Sequence, residues 1–363
     1  MIKRFIYIAM LLTFGLGALA QNNEYVFTEA SELGLLGKIF LETPNPYHRV
    51  DTVRFNSLSK REKELVQMAS GISCAFRTNS TTISVKTKYA KPTWPTNGNG
   101  ISTRGYDLYI KKDGCWLYAA SEVQSDKKLE ENLVLIKDME KGQVYECLLY
   151  LPLYSELSSV QIGVSPGSFI ESLEPPFRHR VVVFGSSFTH GSSTTRAGMS
   201  YPAQFTRDTG IQLLSLGCSG NAKLQDSFTE VLCDAENVDA FLLDVFSNPS
   251  AMQIRTRLLP FIEKMQKAHP GVPLIFQSTI WREQRQFNTQ KDKQELNKAH
   301  VADSLMKIAC RRYKDVYYIH PNATSKQHDT SVDGVHPGNL GYTLWTESIK
   351  MPVKKILRKY GIK

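Results

Sequence analysis

Arg180-Val181-Val182-Val183-Phe184-Gly185-Ser186-Ser187-Phe188-Thr189-His190-Gly191 is a short apolar run that ends in a glycine-flanked turn carrying two serines. Downstream of it, strand and helix patterns alternate. A helix is expected near Tyr201 to Thr209, then the apolar run Ile211 to Gly217, and another helix near Leu224 to Ala235. Val238 to Phe246 reads as a strand, followed by a long helix from Met252 to His269, a strand within Val272 to Thr279, and a helix from Gln294 to Tyr313. Asp315 to His320 and a final helix from Asn339 to Tyr360 complete the set. Five near-continuous apolar strands interleaved with helices predict an α/β domain whose parallel sheet is covered on both faces. Ligands in such sheets bind beyond the carboxyl ends of the strands.

Upstream the texture differs. Val53 to Asn56, Ile72 to Thr78, Thr81 to Ala90, Tyr106 to Lys112, Cys115 to Ser121, Glu131 to Lys137, Val144 to Tyr154 and Ser159 to Val164 are short, β-branched or aromatic, and separated by turn residues. Ile83 and Val85 alternate with Lys86 and Lys88 in the way of a half-buried strand. Many short strands with little helix predict an all-β sandwich; Ser57 to Ser70, with Leu65, Val66 and Met68, reads as its one short amphipathic helix. Pro175-Pro176 removes two backbone donors and stiffens the chain. The boundary is therefore set there, giving a β-sandwich domain over 21–175 and an α/β domain over 176–363.

Residues 1–20 combine Lys3 and Arg4, an apolar run from Phe5 to Leu16, and Ala18-Leu19-Ala20 before Gln21. That pattern predicts a secretory signal peptide cleaved after Ala20, since the run is shorter than the roughly 20 residues of a spanning helix. The expected product is an exported protein, periplasmic or extracellular, with no stable membrane insertion. The 363-residue chain has 44 Lys and Arg against 35 Asp and Glu, a net charge of +9. Its basic residues come in short groups without aromatic interleaving, which argues against nucleic-acid binding. The six cysteines form no C-x-x-C pair and give no zinc pattern; they read as mainly buried thiols.

A serine on a strand-to-helix turn projects its hydroxyl above the sheet edge, beside backbone amides that can face a substrate oxygen. Gly185 and Gly191 are spaced wrongly for a phosphate loop and no lysine follows them. A hydroxyl nucleophile needs a base, and the base needs a carboxylate to orient it. Ser331-Val332-Asp333-Gly334-Val335-His336-Pro337 supplies both on one loop at the same sheet edge. His320, His328 and His336, spaced by eight, match no metal-ligand pattern, so neither metal nor cofactor is expected. Oxyanion donors are offered by Gly217 or Gly220 after the second strand and by Asn248 after the third. The polar run Trp281 to Arg285 is expected to overhang the site.

These residues resemble the SGNH, or GDSL-like, esterase and lipase superfamily. The resemblance implies a flavodoxin-like three-layer α/β/α domain with Ser187 as nucleophile, and with the amides of Ser187 and Gly220 and the side chain of Asn248 as oxyanion donors. The D-x-x-H of that family maps to Asp333 and His336. Gly185-Ser186-Ser187 replaces the usual G-D-S, and the family's G-x-N-D is reduced to Asn248. Upstream, Gly105-Tyr106-Asp107-Leu108-Tyr109 is similar to the G-x-D-L-Y signature of a β-sandwich domain found ahead of such esterases; the stretch itself reads as a strand entry. The function expected is a serine esterase acting on small acyl esters, most of all O-acetyl groups on carbohydrate. A lipase or phospholipid acetylhydrolase, and an inactive glycan-binding protein, are the alternatives.

Overall fold

The structure is a computed structural model that describes residues 24–321 and 328–363, so the leader read at 1–20 lies outside the described residues. The first half forms β1 (Val26–Glu29), β2 (Leu35–Leu36), α1 (Lys60–Gln67), β3 (Ser73–Thr78), β4 (Ile83–Lys91), α2 (Gly100–Arg104) and β5 (Tyr106–Lys112). β6 (Cys115–Glu122), β7 (Leu133–Ile136), β8 (Tyr145–Tyr150), β9 (Glu156–Val164) and β10 (Ile170–Ser172) follow. They pair into two antiparallel sheets, β1-β9-β4-β7 and β10-β3-β8-β5-β6, with β2 beside β3. The expected alternation holds in β4, where Ile83 and Val85 are buried and Lys86 and Lys88 are exposed. With Phe76, Leu108, Leu149 and Ile162 they fill a core shared by the two sheets, which makes the first half a β-sandwich.

Two expectations for this half are corrected. Val53 to Asn56 is not a strand: the Asp51 carboxylate accepts the amides of Val53 (2.8 Å) and Arg54 (3.2 Å) and turns the chain. The helix expected over Ser57 to Ser70 is confined to α1. A capping box between Ser59 and Glu62 starts it, and extended Met68 ends it.

The second half forms β11 (Arg178–Gly185), α3 (Ser187–His190), α4 (Tyr201–Thr209), β12 (Ile211–Gly217), α5 (Asp226–Cys233) and β13 (Ala240–Asp244). It continues with α6 (Ala251–Ala268), β14 (Leu274–Gln277), α7 (Thr289–Arg312), β15 (Val316–Ile319) and α8 (Asn339–Leu357). The five strands are parallel in the order β12-β11-β13-β14-β15. Side-chain alternation along β11 feeds both faces: Val181 and Val183 pack with Phe205, Trp345 and Ile349, while Val182 and Phe184 pack with Phe228, Leu258 and Ile262. The expected α/β/α layering is present. α7 starts earlier than expected, because Asn288 caps it by accepting the Lys291 amide at 2.9 Å.

The two halves share a core. Leu65 and Val66 of α1 and Leu148, Tyr150 and Leu153 of the sandwich bury with Phe184, Leu214 and Leu216. Arg49, wholly buried, donates to the carbonyls of Met68 (2.9 Å), Ser215 (3.3 Å) and Gly217 (2.9 Å), tying the sandwich to the end of β12. The G-x-D-L-Y stretch does enter β5, and it also clamps the second domain. Asp107, fully buried, accepts two hydrogen bonds from Arg196 (3.0 and 2.9 Å) and the Gly198 amide (2.8 Å), and the Tyr109 hydroxyl accepts from Arg196 at 2.6 Å. Burial pushes the Asp107 carboxyl up, and the Arg196 guanidinium opposes that. All six cysteines are free, with Cys74, Cys147 and Cys218 buried. No helix among the described residues is long and apolar enough to cross a membrane.

Candidate active site

β11 lies between β12 and β13, so the chain leaves its carboxyl end at the point where strand order reverses. Ser186 and Ser187 sit in that turn and are used differently. The Ser186 hydroxyl donates to Asp244 Oδ2 (2.8 Å) and accepts the Phe188 amide (3.1 Å), while its own amide also donates to Asp244 (3.2 Å). Thr189 and Ser247 donate to the same carboxylate, at 3.0 and 3.2 Å. Burial pushes the Asp244 carboxyl up, and these donors hold against it. Ser186 is thereby spent on shaping the turn.

Ser187 Oγ lies 2.9 Å from His336 Nε2, and His336 Nδ1 lies 2.8 Å from Asp333 Oδ2. The loop that carries this pair is closed on itself: the Val332 amide donates to the His336 carbonyl and the Gly338 amide to the Thr330 carbonyl, both at 2.8 Å. Asp333 Oδ1 accepts the amides of Val335 (3.0 Å) and His336 (2.7 Å). Partial burial works against the Asp333 charge, but the amide and ring of His336, with the Asn97 amide, outweigh it and hold the carboxyl at about 2.

Gly217 ends β12 where a Cβ would lie 2.2 Å from the His190 nitrogen, so β12 and α3 approach too closely for any side chain there. Gly220 has φ +75°, a backbone conformation that favours glycine, and lines the cleft with no atom within 4 Å of where a Cβ would lie. Asn248 Oδ1 accepts the Ala222 amide at 3.2 Å, which leaves Nδ2 as the free end of that side chain. Ser187 is the first residue of α3, so its amide has no partner within the helix. Ser187, Gly220, Asn248 and His336 line one cleft of about 620 Å³. Asp333 stands behind His336, and Gly217 is not in the lining.

Several further contributions have no signal in the sequence. Asn97, on the sandwich loop between β4 and α2, donates its Nδ2 to Asp333 Oδ2 (3.2 Å) and Ser192 Oγ (3.3 Å), and lies 3.3 Å from His336 Nδ1. From the same loop Trp94, 52% exposed, lines the cleft with its Nε1 donating to Asp126 (3.1 Å) and the Arg104 guanidinium 4.8 Å from its ring centre. Asn97-Gly98-Asn99-Gly100 looks like an ordinary turn.

The run Trp281 to Arg285 is a joint more than an overhang. Arg282 lines the cleft but is buried, donating to the Ser247 carbonyl (2.8 Å) and to Glu295 (2.6 Å); Lys298 reaches the same carbonyl at 2.9 Å. Next to it Glu283 accepts the Thr330 amide (2.8 Å) and hydroxyl (2.6 Å), and the Gln284 amide donates to the Gly334 carbonyl at 3.0 Å. One short segment therefore braces both the Asn248 loop and the Asp333–His336 loop. His190 serves packing: its Nε2 meets the Leu153 carbonyl at 2.7 Å, and its ring stacks on Tyr154 at 4.1 Å. Among the described residues no cluster of three or more His, Cys, Asp or Glu is set for a metal ion.

The chain matches two family models: residues 178–354 match the GDSL-like lipase/acylhydrolase family, and residues 24–170 match the GxDLY family, the N-terminus of SGNH-hydrolase-type esterases. A structure described as a GDSL-like lipase from Bacteroides ovatus is 34% identical, over 92% of this chain and 98% of that one, with a TM-score of 0.88. A salicylyl-acyltransferase from a tetracycline biosynthetic pathway shares the fold at 16% identity, over 94% and 98% of the two chains, with a TM-score of 0.71. An acetyl xylan esterase from the rumen bacterium Butyrivibrio proteoclasticus shares it at 13% identity, over 93% and 99%, with a TM-score of 0.54. No curated protein matches the chain.

Proposed function

The chain belongs to the GDSL-like lipase/acylhydrolase family and is an esterase, and from that premise we propose that it removes small acyl groups, most of all acetyl, from exported or extracellular carbohydrate. The observation that carries the mechanism is the hydrogen-bonded chain from Ser187 through His336 to Asp333, at 2.9 and 2.8 Å. Ser187 Oγ attacks the ester carbonyl carbon and passes its proton to His336 Nε2. The C–O bond to the alcohol then breaks, and the alcohol oxygen takes that proton, leaving an acyl group on Ser187. Water repeats the sequence: it gives a proton to His336, attacks the acyl carbon and releases the acid, and the proton returns to Ser187.

Asp333 works as a carboxylate throughout, receiving Nδ1–H and favouring the imidazolium that forms. The amides of Ser187 and Gly220 and the Asn248 Nδ2 stabilise the oxyanion, each donor being worth on the order of 3 kcal/mol of barrier in such enzymes. Asn97 holds the Asp333 carboxylate from outside. Support for a carbohydrate alcohol comes from carbohydrate esterases of like fold, such as the acetyl xylan esterase.

The test is acetate release from acetylated polysaccharides and from 4-nitrophenyl acetate with chelator present, beside 4-nitrophenyl esters of increasing acyl length. Rates are expected to fall with acyl length and to survive the chelator. Rates that climb with length, with acetylated glycans untouched, would instead make this a lipase.

A further inference from the structure

Beside the catalytic cleft lies a second cavity of about 590 Å³, and the two share Asn248, Arg282 and Lys291 in their walls. Their charged lining is lopsided. Arg61, Lys223, Arg282, Lys291 and Lys298 face them, Arg61 already paired with Glu64 at 3.0 Å, while Glu295 is the one carboxylate among the lining residues. Glu295 is already occupied, by Arg282 at 2.6 Å and by Lys298 at 3.1 Å. Lys223 and Lys291 are half-buried and have no carboxylate within ion-pair distance among the described residues. Arg282 adds a buried Nε that has no hydrogen-bond partner there. α6 begins in the same wall, bringing the partial positive charge of its first turn.

Cations that fold without counter-charges beside a reactive centre raise the local concentration of anions and select among them. The rest of the second cavity is polar, with Ser250, Gln253, Gln294 and Asn297 offering partners for hydroxyl groups and little surface for an acyl chain. We propose that this cavity is a subsite for an anionic sugar residue next to the acylated one, held by Lys223 and Lys291, so that the substrate is a glycan bearing carboxylate or sulfate groups. This deepens the carbohydrate-esterase reading above and rests on it for the identity of the bound chain.

Calorimetric binding of three unacylated oligosaccharides of equal length tests it: one bearing uronate, one bearing sulfate and one neutral. At low ionic strength at least one anionic ligand is expected to bind about tenfold or more tightly than the neutral one, with the advantage shrinking as salt is added. The Lys223→Gln/Lys291→Gln double variant should lose most of it. Whichever anionic arm carries the advantage names the source of the charge. Equal binding of all three, or an advantage that persists in the double variant, overturns the proposal. Because binding needs no turnover, failure here is separate from failure of the esterase reading, which would appear as absent 4-nitrophenyl acetate hydrolysis.

Discussion

On one side of the cleft, Ser187, Gly220, Asn248 and the Asp333–His336 loop all follow strands of one parallel sheet, whereas on the other side Trp94 and Asn97 arrive on a loop of the β-sandwich. The first wall is fixed by local rules. Each group sits where a strand ends, and topology alone gathers the strand ends at one edge. The second wall depends on docking: the sandwich loop reaches His336 only because Arg49, Asp107 and a shared core hold the two halves in one arrangement. Chemistry is thus concentrated in one half, and its support is spread over both.

The sharpest break between the walls should come from Ser187→Ala, which removes the proposed nucleophile and is expected to cut 4-nitrophenyl acetate turnover by about 10⁴ or more while leaving the melting temperature nearly unchanged. Ser186→Ala should behave in the opposite sense. It loses the cap on Phe188 and one donor to buried Asp244, about 1 to 2 kcal/mol of stability, and keeps activity within about tenfold. Equal losses in both variants would mean that the division of labour between the two serines is wrong.

Arg49→Ala tests the docking itself. Its guanidinium meets carbonyls from both halves in a site with no water access, so the variant leaves several acceptors unpaired. The expected loss is about 3 to 5 kcal/mol in denaturant unfolding. If the sandwich only props the site, the folded fraction of this variant should retain its kcat. A kcat that falls with the docking, at full folding, would make the second wall part of the chemistry.

The difference between the walls also explains what could be read from sequence. The α/β half was legible because its strands are nearly continuous apolar runs and because Gly185-Ser186-Ser187 and Asp333-Gly334-Val335-His336 place chemistry next to them. Ser186 and Ser187 could not be separated from composition alone, since the difference lies in Asp244, 57 positions beyond Ser187 and buried beneath the turn. Arg49 and Asn97 leave no trace because the contacts that join them to the α/β half, with Ser215, Gly217 and Asp333, span 166, 168 and 236 positions, and Trp94 because its place in the cleft wall depends on how the two halves dock. The run Trp281 to Arg285 reads from its polarity as an overhang, and the structure makes it chiefly a brace. Its charges meet Glu295, Ser247 and Thr330, 13, 35 and 47 positions away on other elements, and a polar run reads as solvated until those partners are known.

Asn248→Ala removes a proposed oxyanion donor from the first wall without touching Ser187, His336 or Asp333. An oxyanion donor acts mainly in the transition state, so kcat should fall by about 10² to 10³ with KM little changed. An increase in KM alone would make Asn248 a substrate-binding group and leave the oxyanion to the Ser187 and Gly220 amides.

The smallest effect is expected from the second wall, where Asn97 is a positioning residue that acts through Asp333. Asn97→Ala takes one of the donors from Asp333 Oδ2 and should lower kcat by about tenfold. Asn97→Asp has nearly the same shape but sets a second carboxylate against Asp333, so it should be the more damaging of the two. A residue that merely filled space would show the reverse order. The titration of Asp333 gives an independent readout. Its folded value of about 2 lies below the ordinary value of about 4, so its ionised form stabilises the fold at and above about pH 4, and that contribution is lost as pH falls through about 2. Losing the Asn97 amide, the smallest of the groups that hold the carboxylate down, should move the Asp333 titration slightly upward while the His336 amide and ring keep it below its ordinary value, followed by carboxyl-carbon NMR, and shift the acid loss of this stabilisation to slightly higher pH. An unmoved titration with intact kcat would show that the sandwich loop touches the site without holding it.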